Sequence, residues 1–277
     1  MPTPHPHMLS LNTATVRQQW NLRQTIEGCA RHDIRGISPW RDQVAELGLQ
    51  QAAQLIRQHD LSVTGYCRGG MFPAADARAR QQKLEDNYRA VDEALELNAR
   101  CLVLVVGGLV PGSRDLNGAR QQVHDGLSAL LEYARPRGMP LAIEPLHPMY
   151  AADRACVNSL KQANDLCDAL GDQGLGIAVD VYHTWWDADF AQEVQRAGAH
   201  RLLAFHICDW LSPTQDLLED RGMMGDGVID IRGLRQLVEQ QGYQGFHEVE
   251  IFSRHNWWQR DPDEVLRVCK ARHQEYC

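Results

Sequence analysis

Short apolar runs alternate along this chain with longer stretches whose apolar residues recur at helical spacing. That alternation predicts βα units wound around a parallel sheet. Eight units can be counted, with strands predicted at 8–12, 35–39, 61–67, 101–107, 141–144, 175–181, 202–208 and 246–252. The run CLVLVVG at 101–107 is uninterrupted apolar sequence, as expected of a strand buried on both faces. Helices are predicted at 22–31, 45–59, 77–97, a segment ending near 135, 187–197 and 231–241. The helix at 77–97 carries Leu84, Tyr88, Val91 and Leu95 on one face. Ser159 is placed to cap a further helix, and Asp261 followed by Pro262 opens the last one. Segments 68–76 and 209–230 read as loops. The pattern predicts a single (β/α)8 barrel domain over residues 1–277, with the His- and Pro-rich residues 1–7 as a mobile tail.

The length agrees, since 277 residues is close to the roughly 250 of an eight-stranded α/β barrel. A net charge of −8 argues against nucleic acid as the main partner. The eight cysteines include no CxxC pair and sit mostly in apolar segments, so they read as buried thiols in a reducing compartment. The N-terminus has neither a basic start nor an apolar stretch, and no run approaches the ~20 apolar residues of a membrane span. A soluble cytoplasmic protein is therefore expected.

Four successive strand-like segments in the second half end on potential metal ligands: Glu144, Asp180, His206 and Glu250. Parallel barrel strands deliver their last side chains to one mouth. Each of these residues lies in an apolar run, where an unpaired charge is costly. Ala142, Ala178 and Ala204 stand two positions before the first three, on the same strand face. In the last strand Glu248 takes that position. Glu250, nearer the C-terminal end, is read as the ligand; Glu248 is read as a carboxylate supporting the site from behind, as is Asp209. Three carboxylates and one imidazole suit one hard divalent ion, Mn²⁺ or Mg²⁺, with Co²⁺ or Ni²⁺ able to substitute.

These features resemble the xylose isomerase-like barrel superfamily, and within it the sugar isomerases and epimerases related to tagatose epimerase, hydroxypyruvate isomerase and the inositol catabolic enzymes. The matching residues are IEP at Glu144, D-x-x-H from Asp180 to His183, His206, Arg221 followed by GDG at 225–227, and GYQGFHEVEIF with Glu250. The resemblance implies that Glu144, Asp180, His206 and Glu250 bind one metal. It also implies that His183 and Arg221 contact substrate oxygens. A loop histidine and a surface ion pair of Arg221 with Asp220 or Asp226 are the plainer readings of the last two.

A sugar isomerase removes a proton beside a carbonyl and must stabilise the enediolate that forms. Glu144 and Glu250 are the candidate proton carriers, a role that contributes roughly 10²–10⁴-fold. Two carriers on opposite sides give epimerisation, and one carrier on one side gives aldose–ketose isomerisation. Trp40, Tyr66, Trp185, Trp186 and Trp210 lie at or after strand ends and could wall a sugar. Trp185 and Arg68 are the candidates chosen for substrate contact, and HNWW at 255–258 for capping the mouth or a subunit contact. The expected partner is a small carbohydrate or keto-acid. A homo-oligomer is expected from the resemblance.

The runner-up is a lyase that eliminates a β-substituent from a keto-sugar or 3-keto-glycoside with the same metal and carboxylates. A non-catalytic sugar-binding barrel is a third reading. An endonuclease IV-like activity is disfavoured, because that family needs further histidines that Tyr66–Arg68 and Gly225–Val228 lack. Asp187 and Asp189 sit at a helix start and do not make the second metal cluster of a xylose isomerase.

Overall fold

The computed structural model describes residues 3–171 and 173–277. Its strands are β1 (Leu9–Asn12), β2 (Gly36–Ser38), β3 (Ser62–Val63), β4 (Tyr66–Gly70), β5 (Leu102–Val105), β6 (Leu141–Ile143), β7 (Leu175–Asp180), β8 (Leu202–Ile207), β9 (Asp209–Trp210), β10 (Arg221–Gly222) and β11 (His247–Val249). Its helices are α1 (Leu22–Arg31), α2 (Arg41–Leu47), α3 (Leu49–Gln58), α4 (Ala77–Glu96), α5 (Leu116–Ala134), α6 (Leu160–Leu170), α7 (Val181–Thr184), α8 (Phe190–Arg201), α9 (Ile231–Gln240) and α10 (Pro262–Tyr276). Nine parallel strands form one sheet in the order β3-β2-β1-β11-β8-β7-β6-β5-β4. β3 and β4 are both pieces of the predicted third strand, so one chain segment forms both ends of the sheet. Thr64 N–H donates to Ile37 O (2.9 Å), Cys67 N–H to Pro39 O (3.0 Å) and Tyr66 N–H to Cys101 O (3.0 Å). These bonds bring the sheet round into a nearly closed TIM barrel of one domain.

Four departures from the predicted pattern have local causes. The third strand continues through Gly70 instead of ending at Cys67. Gly70 lies at φ +104°, and a Cβ there would fall 2.1 Å from Val105 O. Asn87 of α4 brackets it, accepting from Gly70 N–H (2.6 Å) and donating to its carbonyl (2.8 Å). The helix predicted at 45–59 is two helices, broken at Gly48 with φ +93°. The helix predicted from 187 begins at Phe190, and one-turn α7 precedes it. The loop 209–230 contains the short antiparallel pair β9–β10. The caps fall where the sequence placed them: Ser159 accepts from Gln162 N–H (3.2 Å), and Asp261 from Glu264 N–H (2.9 Å).

The main apolar core lies between strands and helices, with Leu11, Ile37, Leu104, Ile143, Ile177, Phe205 and Val249 against helix residues such as Ile26, Val91, Leu127 and Val238. Alternate strand residues turn inward and form a separate small cluster: Cys67, Cys101, Val103, Ala142, Ala178 and Ala204. The three alanines thus pack together beneath the barrel mouth. All eight cysteines are buried. Of the segment expected to be mobile, residues 1 and 2 lie outside the described residues. Pro6–Met8 form one 3-10 turn, and Pro4 O accepts from Gln274 Nε2 (2.9 Å). No helix of the described residues is long and apolar enough to cross a membrane.

Candidate metal centre

Glu144 follows β6 directly, Asp180 ends β7, His206 lies in β8 and Glu250 follows β11. The strand register sets Asp180 beside His206 and His206 beside Glu248. One ligand atom from each of Glu144, Asp180, His206 and Glu250 lies within 4.8 Å of the others. Ligands bound to one ion at about 2.0–2.2 Å can be at most about 4.4 Å apart, so the cluster is near coordination size. All four are buried, Asp180 and His206 completely.

The donors are oriented from below. His206 Nδ1 faces the cluster, 3.0 Å from Glu144 Oε1 and 3.9 Å from Glu250 Oε2. Its Nε2 faces Glu248 Oε1 at 3.5 Å. Glu248 is fixed in turn, accepting from Asn12 Nδ2 (2.8 Å) and Thr64 Oγ1 (2.8 Å). Asn12 Nδ2 also donates to Glu250 Oε1 (3.0 Å), so one amide ties together the two glutamates of the last strand. Asp180 spends Oδ1 on the Tyr182 N–H that opens α7 (2.8 Å), and its Oδ2 remains on the site.

Arg221 enters from β10. Its Nη1 donates to Asp180 Oδ2 (3.0 Å) and Glu250 Oε2 (3.1 Å), and its Nη2 lies 3.1 Å from His183 Nε2. It is buried against the rings of Tyr182 and Phe252 and makes neither of the surface pairs considered from sequence. His183, on α7, accepts at Nδ1 from His147 N–H (3.2 Å). Burial, reinforced by Arg221 and opposed by Asp180, lowers the His183 pKa to about 3. Burial, with Glu144 and Asp180 nearby, raises Glu250 to about 8 despite Arg221. Burial would raise Asp180 too, but Arg221, His183 and His206 hold it below its ordinary value. Burial disfavours a charged His206, yet Glu248, Glu144 and Glu250 together push its pKa well above the ordinary range.

These values describe a site short of positive charge. Four carboxylates converge on one guanidinium and one imidazole out of water, where such charge is costly. The hard oxygen-rich donor set, the inward Nδ1 and the spacing all fit one divalent cation.

A cavity of about 220 Å³ opens above the cluster. Glu144, Glu250, His183, Arg221 and Arg68 all line it, together with Trp40, Tyr150, Arg154 and Phe252. Trp185 does not line it; its ring packs beside Trp210 at 6.0 Å. The reason is the one-turn α7, which turns Trp185 off the strand axis. Asp209 is not one of the four clustered residues and does not line the cavity. Its carboxylate accepts from the Trp210, Gly225 and Ile229 amides and so organises the GDG loop. Gly227 is needed there, because a Cβ would meet Trp210 O at 2.1 Å. Trp257 and Trp258 are buried, donating to Asp226 and to Ala14 O. Asn12, Tyr150 and Arg154 were missed from sequence. Asn12 carried the same signal as the four clustered residues, a polar residue ending an apolar strand.

A family model described as xylose isomerase-like TIM barrel matches residues 25–271. The chain belongs to that family. Among this family's curated members, the inosose isomerase of Bacillus velezensis is 23% identical over 275 residues, 95% of this chain and 94% of that protein. A crystal structure of protein SMc04130 from Sinorhizobium meliloti 1021 is 55% identical, with TM-score 0.97 and 99% of each chain covered. A crystal structure of the IolI protein, which holds a zinc atom, is 20% identical with TM-score 0.82, covering 97% of this chain and 99% of that one. The last shows the shared barrel.

Proposed function

We propose that this protein is a divalent-metal-dependent sugar isomerase or epimerase that moves a proton beside a carbonyl. The observation that carries the reading is the convergence of Glu144, Asp180, His206 and Glu250 at the floor of a small cavity. Kinship with an inosose isomerase supports it. A divalent ion held by these four residues, Mn²⁺ or Mg²⁺ by donor hardness, would draw charge from a carbonyl and stabilise the enediolate.

The chain's own groups do the rest. Glu144 Oε1 lies 3.0 Å from His206 Nδ1, while its Oε2 makes no hydrogen bond among the described residues. It is the freer of the two carboxylates to take a substrate proton. Glu250 is held at both oxygens, by Asn12 and Arg221, and suits return of the proton from the other side. Arg221 and His183, side by side at the cavity wall, orient substrate oxygens. A cavity below the 300–1,000 Å³ of drug-sized sites fits one sugar-sized molecule better than a glycoside with its aglycone.

The test is NMR in D₂O with Mn²⁺-loaded protein and a panel of ketoses, keto-acids and 3-keto-glycosides. Metal-dependent deuterium beside the carbonyl is expected, with at least a hundredfold loss in Glu144→Gln and in Glu250→Gln. Full activity in both variants would sink the proton-carrier assignment. Release of an aglycone in place of isomerisation would make the enzyme a lyase.

A further inference from the structure

The arginines that border the barrel mouth fall into two groups. Arg41 is paired with Asp86 (2.9 Å) and Glu93 (2.8 Å), Arg17 with Asp42, and Arg221 with Asp180 and Glu250. Arg68 and Arg154 are different. Both line the 220 Å³ cavity above the ligand cluster, and both are partly buried. Neither side chain has a hydrogen bond or ion pair among the described residues; Arg154 only lies over the Tyr150 ring, 5.6 Å from its centroid. Burial and the neighbouring Arg154 charge lower the Arg68 pKa, and the attraction of Glu144 and Asp42 does not offset them. Two like charges therefore share a partly dry pocket with no counter-ion of their own.

The ligand cluster does not provide one. With a divalent ion bound, the charges of Glu144, Asp180 and Glu250 are met by that ion and by Arg221. Even counting Glu248 beneath them, Arg68 and Arg154 leave one positive charge in excess. A guanidinium presents a planar fork of donors that matches carboxylate or phosphate oxygens.

We propose that Arg68 and Arg154 form an anion subsite, so that the substrate is a sugar carrying a carboxylate or phosphate away from its reacting carbonyl. This rests on the isomerase reading and narrows its substrate class. Arg68 also borders a second cleft of about 590 Å³, shared through Trp40 and Cys67, which gives the charged end an open route into the site.

The experiment is calorimetric titration of Mn²⁺-loaded protein with D-fructose, D-fructose 6-phosphate and D-fructuronate, which differ only at C6. At least one anionic sugar should bind tenfold or more tightly than D-fructose. Arg68→Gln and Arg154→Gln should each cut that preference about tenfold, with Mn²⁺ affinity unchanged. If one variant loses Mn²⁺ binding, the other carries the test. The phosphate and carboxylate arms tell which anion is preferred. Equal affinity for all three sugars, absence of anionic-sugar binding, or a preference that survives in the double variant overturns the subsite. Deuterium exchange on the same sugars separates the two readings. Exchange without an anion preference removes the subsite alone; an arginine-dependent preference without exchange on any bound sugar removes the isomerase alone.

Discussion

Replacing Asn12 should cost more stability than any change of similar size on the barrel surface. Its Nδ2 donates to two buried carboxylates, Glu248 at 2.8 Å and Glu250 at 3.0 Å. Its Oδ1 accepts from Trp40 Nε1 at 2.7 Å and from Ala14 N–H at 3.0 Å. Hydrogen bonds to charged groups contribute about 1.5–3 kcal/mol each. The two to the glutamates therefore sum to about 3–6 kcal/mol. At pH 8 Glu250 is only about half ionised, and Thr64 still donates to Glu248 and Arg221 to Glu250, so the lower half applies, about 3–4 kcal/mol. For a domain of this size that is a fall in Tm on the order of 6–15 °C. Asn12→Asp keeps the acceptor for Trp40 and Ala14 but exchanges the shared donor for a third acidic group. At pH 8 it should fall at least as far as Asn12→Ala. Both are measured by thermal and urea unfolding in EDTA, so that metal does not mask the loss. A deficit below about 1 kcal/mol in either variant would refute the view that one amide holds the two glutamates in place.

Two further outcomes are expected. Glu248→Gln removes the carboxylate that faces His206 Nε2 and should weaken Mn²⁺ binding about 10–100-fold; an unchanged Kd by competition titration would mean that the ring is oriented otherwise. Burial, helped by His247 and Arg235 and opposed by Glu239, lowers the His273 pKa from an ordinary 6.5 to about 3. The unfolded chain then binds the extra proton between those values, so this stability is lost as pH falls through that window. Wild type should lose about 2 kcal/mol more than His273→Gln between pH 7.5 and 5; parallel urea midpoints at the two pH values would falsify the assignment.

The four candidate ligands were legible as a cluster because each breaks an apolar run at the same point of its unit, and a barrel turns that repetition into convergence. Periodicity also gave the inward face, which is why Ala142, Ala178 and Ala204 could be grouped before their contacts were known. It does not give the path of the chain once a strand ends. Trp185 follows Asp180 so closely that it read as a wall of the site, yet one turn of helix carries it elsewhere. Arg154 sits in an irregular segment with no periodic signal, so nothing in its neighbours pointed to the cavity. Gly69 and Gly70 signal a turn by composition, but Asn87, seventeen positions along, satisfies Gly70's backbone and keeps it in the sheet. Asp209 carried the right charge in the right place, and its oxygens are consumed by backbone amides that only the folded loop brings near.

The seam between the first and last strands has a consequence for how this protein is made. Ser10 pairs with Glu248 across that seam, and Asn12 reaches the same glutamate and Glu250. A chain still emerging from the ribosome holds Glu144, Asp180 and His206 long before it holds the fourth member of the cluster, Glu250. Its ring is also open, with the β1 edge unpaired by β11. Assembly of the four-residue cluster and ring closure thus await the same late stretch of polypeptide, and a complete cluster marks a barrel whose two ends have already met.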